Sequence, residues 1–203
     1  MPSKRAYVSP LREQAAAQTR ALILQRAAEL FAERGYGRVT VADIASAAGV
    51  APKTVFASAG SKSDILDRIV DQAVVASGYE RSMQHLLALQ TPDGVIKALA
   101  HGTRRGNEGQ FTVHEAIRKA LPVHENGEAL WERSTAVYRE AIHAAASHLH
   151  TLTPLSSYAI EETADLLWFW FGPTGWRTLV VENNWSWDKA EDFLHRTAVA
   201  TLL

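Results

Sequence analysis

Thr40-Val-Ala-Asp-Ile-Ala-Ser-Ala-Ala-Gly-Val-Ala-Pro-Lys-Thr-Val-Phe56 decides the fold. Thr40 has the side chain of a helix cap, and Asp43, three residues on, stands where a capping box places its acid. Val41, Ile44, Ala45 and Ala48 follow at i, i+3, i+4 and i+7, one apolar stripe on a short helix. Gly49 supplies the left-handed backbone that ends this helix, and Val50 fills the angle after it. Pro52 suits the first turn of a second helix, where its missing N–H costs nothing. Within that helix Val55 and Ala59, four apart, face inward, which leaves Pro52, Lys53, Phe56 and Ala57 outside. Two short helices about a glycine turn make a helix-turn-helix, whose second helix enters a DNA major groove.

Upstream, a helix is expected from about Ala15 to Arg34, with Ile23, Ala27, Leu30 and Phe31 inward. Gly35 stops it and Tyr36 folds back onto Phe31. Downstream, Ser61 caps a longer helix with Asp64 three residues later and Ile65, Ile69 and Ala73 inward; it ends near Gly78 or runs on to Leu89. Thr91-Pro-Asp-Gly is a break and a new cap. Helical stretches follow at about Asp93–Arg105, Gln110–Leu121, Gly127–His150, Ser157–Glu182 (interrupted at Gly172-Pro173) and Ser186–Leu203, some nine helices in all, with no β-patterned run and no repeat.

The quoted segment, together with Leu30-Phe-Ala-Glu-Arg-Gly-Tyr36, Val39-Thr-Val-Ala-Asp-Ile-Ala45, Ala48-Gly-Val50, Thr54-Val-Phe56 and Lys62, resembles the N-terminal domain of tetracycline-repressor-like (TetR/AcrR) regulators. The resemblance runs from about Arg20 to Asp71. It implies an all-α protein: a flexible arm (1–14), a three-helix helix-turn-helix domain (15–60), and a helical ligand-binding and dimerisation domain (61–203). It also implies that double-stranded operator DNA is met by Pro52, Lys53, Thr54, Phe56, Ala57 and Ser58, with Thr40 and Lys62 flanking on phosphates. Lys53 is the expected base reader, because a lysine donates to guanine O6 and N7. Lys62, in the first turn of its helix, sits where an anion is already favoured. Several positions depart from the family pattern: Lys53 stands where the family often has glycine, and Ala57 and Ala59 replace larger residues, the latter usually phenylalanine. Ala51 stands at a cap usually held by Ser or Thr, which removes a cap worth about 1 kcal/mol; Phe56 replaces a tyrosine and cannot donate to a phosphate. Specificity then leans on Lys53 and on DNA shape.

Charge agrees with a DNA-binding head. Through residue 62 there are nine Lys/Arg and four acids, net +5; of the totals of 21 and 22, that leaves 12 bases and 18 acids, net −6. A basic head on an acidic body suits a protein whose head alone meets phosphates. The arm carries Lys4, Arg5 and Arg12, residues that can follow a DNA backbone or simply be solvated.

In the body, Ala164-Asp-Leu-Leu-Trp-Phe-Trp-Phe171 is apolar almost all round and must bury both sides. One side packs on its own body and the other on a second copy, with Trp170, Trp176, Trp187, Phe193 and Leu194 expected at the seam of a homodimer. The aromatic and polar residues Phe111, His114, Arg118, Trp131, Tyr138, Trp168 and Phe171 are the expected walls of a cavity for an unidentified small-molecule effector; the same residues equally describe a plain helical core. Cysteine is absent, so disulfides and thiolate chemistry are excluded. His143, His148 and His150 share no ligand face, and no Gly-x-Ser-x-Gly elbow, phosphate-binding loop or dinucleotide fingerprint occurs. No catalysis, metal or cofactor is expected, no membrane span, and a cytoplasmic location. The readings to separate are a ligand-released dimeric repressor and a helical small-molecule carrier with a vestigial head.

Overall fold

The computed structural model describes residues 10–76, 79–153 and 158–203, with side chains of 79–81 left aside. Those residues form eleven α-helices and no strand: α1 (Pro10–Arg34), α2 (Val41–Ala48), α3 (Pro52–Ala59), α4 (Lys62–Ala76), α5 (Tyr79–Leu87), α6 (Pro92–Gly109), α7 (Phe111–Ala120), α8 (Gly127–Leu152), α9 (Ile160–Phe171), α10 (Pro173–Arg177) and α11 (Trp187–Leu202). A 3-10 turn at Tyr36–Arg38 follows α1, and a π-helical turn at Thr178–Glu182 follows α10.

The first helix is longer than expected. Arm residues 10–14 are helical, because Pro10 occupies the first turn and the run from Leu11 to Ala17 is made of strong helix formers. The expected arm therefore shrinks to residues 1–9, which lie outside the described residues. Eleven helices rather than nine arise from α5, a separate element beyond α4, and from α10, started by Pro173. The expected ends at Gly78 and Ser157 also fall outside the described residues.

The chain divides into two compact units. The first takes the chain up to Gln72 together with Glu115–Trp131; the second takes Ala73–His114 and Glu132–Leu203. In the first unit α1, α2 and α3 pack on one another. Their core is Ile23, Leu24, Ala27, Phe31, Tyr36, Ile44, Val55 and Ala59, joined by Ile65 and Leu66 of α4. This unit holds more chain than the notional 15–60. The Lys119 ammonium donates to the Ala32 and Glu33 carbonyls at the open end of α1, and Val123 lies 3.6 Å from where a Cβ on Gly37 would stand. The carbonyls at a helix C-terminus lack helical partners, so a lysine there meets a real need.

In the second unit, Val95, Ile96 and Leu99 of α6 meet Ile142, Ala145 and Leu149 of α8, Leu167 and Phe171 of α9, Trp176 of α10 and Leu194 of α11. Polar contacts tie the outer edges: Arg104 of α6 forms ion pairs with Asp188 at 2.5 Å and Glu191 at 2.9 Å, and His195 Nε2 meets Asp93 at 3.0 Å. No described helix is long and apolar enough to cross a membrane.

Candidate nucleic-acid interface and ligand cavity

The helix-turn-helix is built by local chemistry. Thr40 and Asp43 form the capping box: the Thr40 N–H donates to Asp43 Oδ2 at 2.8 Å, and the Asp43 N–H to Thr40 Oγ1 at 3.2 Å. Hydrogen bonds from the Thr40 hydroxyl and backbone hold the Asp43 carboxyl below the usual aspartate range. Gly49 closes α2 with φ 66°, and its N–H returns to the helix carbonyls. Ala51 caps α3 without a side-chain bond, and Pro52 takes the first turn. Gly60 has φ 89°, and a Cβ there would stand 2.6 Å from Asp64 Oδ2, so only glycine admits the second capping box, Ser61 with Asp64.

Val55 and Ala59 of α3 are fully buried, while Pro52, Lys53, Phe56 and Ala57 are exposed and Thr54 and Ser58 half-buried. Phe56 is 56% exposed, a large apolar ring left in water with no fold role to explain it. Thr40 is exposed as well. Arg20 of α1 donates to the Ser58 carbonyl at 2.8 Å and pins the far end of α3, a contact 38 residues apart that no local pattern signals.

Lys62 is placed differently from the other candidates. Its ammonium donates to the carbonyls of Tyr36 and Val39, both at 3.0 Å, and lies 4.2 Å from the centre of the Tyr36 ring. Two of its three donors therefore close the turn at Tyr36–Arg38, and one is left to point elsewhere.

The second unit contains a cavity of about 690 Å³. Its wall is drawn from the last turn of α4, from α5, α6 and the start of α7, and from α8. Of the seven expected ligand residues, His114 and Tyr138 line it. The other five do not, for separate reasons. Phe111 turns edge-on to Trp187, with ring centres 6.4 Å apart. Trp168 packs against Tyr138 and carries the Arg139 guanidinium 4.0 Å above its ring. Phe171 is wholly buried in the core of this unit. Arg118 and Trp131 belong to the first unit, where Arg118 makes two 2.9 Å bonds to Glu115. The aromatic stripes are core. The cavity wall is instead small residues of α4 and α6 with Met83, Leu86 and Leu99, and its polar groups include His85, His101, Thr103, Arg105, Gln110 and His114.

Tyr138 links the cavity wall to the core. Its hydroxyl donates to the Phe171 carbonyl and accepts from Asn107 Nδ2 at 3.0 Å. The Phe171 carbonyl ends α9 ahead of Gly172-Pro173, so it has lost its helical partner, and the Trp176 indole also donates to it at 3.0 Å.

The residues expected at a dimer seam are mostly internal. Trp176 is 1% exposed, Leu194 and Trp170 are buried in the core, and Trp187 stacks on Trp176 with centres 5.7 Å apart. Phe193 is exposed beside Trp185. The largest outward side chain on α9 is one not expected, Phe169, 72% exposed. The run Leu166–Phe171 is apolar all round, and successive side chains turn by about 100°, so Trp170 and Phe171 enter the core while Phe169 points out.

Residues 23–69 match the family described as bacterial regulatory proteins, tetR family. No curated protein sequence matches the chain. Among solved structures, the transcriptional regulator FadR from Bacillus subtilis in complex with stearoyl-CoA is 14% identical, with a TM-score of 0.71 over 90% of this chain and 99% of that one. The fatty acid degradation regulator FadR from Bacillus halodurans is 13% identical, with a TM-score of 0.70 over 89% and 94%. The TetR family transcriptional regulator PfmR from Thermus thermophilus is 19% identical, with a TM-score of 0.63 over 96% and 97%. Identities this low establish likeness of fold. The chain thus carries, over residues 23–69, a helix-turn-helix segment that matches the tetR family of bacterial regulatory proteins, on a body whose fold is like that of these solved regulators.

Proposed function

We propose that the chain is a dimeric repressor, released from a palindromic operator when a small ligand enters the cavity of the second unit. The observation that most supports this is the course of α4. The helix begins at Lys62, with only Gly60 and Ser61 between it and α3, and Ala73, Val74 and Ala76 of its last turn wall the cavity. A ligand in the cavity therefore touches the helix that follows the recognition helix. A coupling of about 1–3 kcal/mol through such an element changes operator affinity roughly five- to 150-fold.

On DNA, the exposed face of α3 supplies the contacts: Lys53 to a base edge, Phe56 and Ala57 to sugar or a thymine methyl, and Thr54, Ser58, Pro52 and Thr40 along the backbone. Lys62 has one donor left for a phosphate. Phe169 and Phe193 offer the apolar surface for pairing two copies, which would set two recognition helices about 34–36 Å apart. The test is an electrophoretic shift with DNA from upstream of its own gene, repeated across salt and then with added ligand. A retarded band that weakens steeply with salt is expected; no retardation at low salt sinks the reading.

One feature favours a carrier instead: α3 exposes an alanine and a phenylalanine where a reader would carry polar groups. Target binding unchanged by Lys53→Ala and Lys62→Ala together would support that second reading.

A further inference from the structure

The cavity is charged unlike the body around it. Although residues 63–203 are rich in acids, no Asp or Glu among the described residues lines the cavity, whereas Arg105, His85, His101 and His114 do. The adjacent arginines of α6 divide the work. Arg104 is neutralised by Asp188 and Glu191 of α11. Arg105, turned by about 100° on the same helix, lines the cavity and makes no ion pair with any described residue. His101 Nδ1 lies 3.2 Å from Glu191, so among the described residues Arg105 is the permanent charge that the cavity leaves open.

The wall beside Arg105 is bare backbone. Gly102, Gly106 and Gly109 all line the cavity, and a Cβ on any of them would meet nothing within 4 Å. Glycine within a helix destabilises it relative to alanine, and no neighbouring atom requires glycine here. What the three positions do is hold space open along the face that carries Arg105. Met83, Leu86, Leu99 and Val137 make the rest of the wall apolar.

We infer that the cavity takes an amphiphilic organic anion. Its carboxylate or phosphate rests on the Arg105 guanidinium, whose planar fork suits either group, and its apolar body lies along the glycine face of α6 against Leu86 and Leu99. The inference rests on the cavity being the effector site, and it makes the effector charged rather than simply apolar.

Calorimetric titration of the full chain with decanoate, decyl phosphate and decanol tests it. At least one anion binds about tenfold or more tighter than the alcohol, the gain of one charge-assisted contact, and the tighter anion identifies the headgroup. Arg105→Gln brings the anions to the level of decanol and leaves decanol unmoved. Gly106→Leu removes binding of all three without lowering the thermal midpoint, since leucine is the better helix former. Decanol binding as tightly as both anions, or anion binding indifferent to Arg105→Gln, overturns the charged ligand and leaves the cavity reading standing. Binding of all three unaltered by Gly106→Leu puts the site elsewhere and overturns both. Silence from every probe overturns the charged ligand; operator release by a neutral compound, blocked by Gly106→Leu, would then still uphold the effector cavity.

Discussion

The Nε2 atom of His124 lies 2.9 Å from Ser63 Oγ, and this pairing fixes the state of the ring. The other nitrogen, Nδ1, accepts the Asn126 N–H at 3.1 Å, so the ring proton is on Nε2 and is donated to the serine. The ring edge meets the Tyr36 ring at 5.1 Å, and Lys62 covers that same tyrosine. A loop far along the chain thus closes over the turn that leads into the helix-turn-helix. His124→Phe keeps the ring and removes both hydrogen bonds, leaving the Asn126 N–H unmet. The expected loss is about 1–3 kcal/mol in urea unfolding; an unchanged midpoint would show that the loop does not support the head.

Lys53 and Lys62 separate by measurement, because one is exposed and the other holds two carbonyls. Lys53→Ala is expected to weaken operator binding and reduce the salt slope by about one if the contact is to phosphate, or to relax preference at one base pair if it is to guanine, with stability unchanged. Lys62→Met is expected to destabilise the protein by about 1–3 kcal/mol through the loss of two charge-assisted bonds. Thermal midpoints and shift assays on the same two proteins decide it. A Lys62→Met protein as stable as the parent would remove the structural role.

The helix-turn-helix is legible in the sequence because its signals are local. Thr40 with Asp43, Gly49, Pro52 and Ser61 with Asp64 each act over four residues or fewer, and α2, α3 and the start of α4 lie where those residues put them. The contacts that hold the unit together, Arg20 to Ser58 and Lys119 to the end of α1, join residues far apart and leave no periodic trace. The cavity escapes the sequence for a different reason. Aromatic residues at helical spacing announce burial, and Phe171 and Trp176 are core. A cavity is marked by what is missing, and the trace is there: Gly102, Gly106 and Gly109 on one face of a helix that they do not break.

The two capping boxes make the head sensitive to acid. Hydrogen bonds from Thr40 lower the Asp43 carboxyl, and those from Ser61 lower Asp64. A carboxylate whose pKa is lower folded than unfolded adds stability above its unfolded value, near 3.9, and loses it as pH falls through the folded one. Thermal midpoints taken from pH 6 downward should therefore fall more steeply below about pH 4 in the parent than in the Asp43→Asn, Asp64→Asn protein. Parallel curves would mean that these acids do not contribute to the acid limb.

Tyr138 carries the last prediction, because one hydroxyl serves two elements. It donates to the Phe171 carbonyl, accepts from Asn107, and its ring walls the cavity. Tyr138→Phe leaves the Asn107 amide short of an acceptor and the Phe171 carbonyl with Trp176 alone, an expected cost of about 1–3 kcal/mol. Burial pushes the phenol well above its ordinary value, outweighing the lowering by Asn107. A group whose pKa is raised on folding gives its full contribution below the unfolded value, near 10, and loses it as pH climbs toward the folded one. The stability gap between parent and Tyr138→Phe should therefore be constant from pH 7 to 9 and narrow above about pH 10. A gap that widens with alkali would mean that the phenol ionises more readily folded than unfolded, contrary to its place between Asn107 and Phe171.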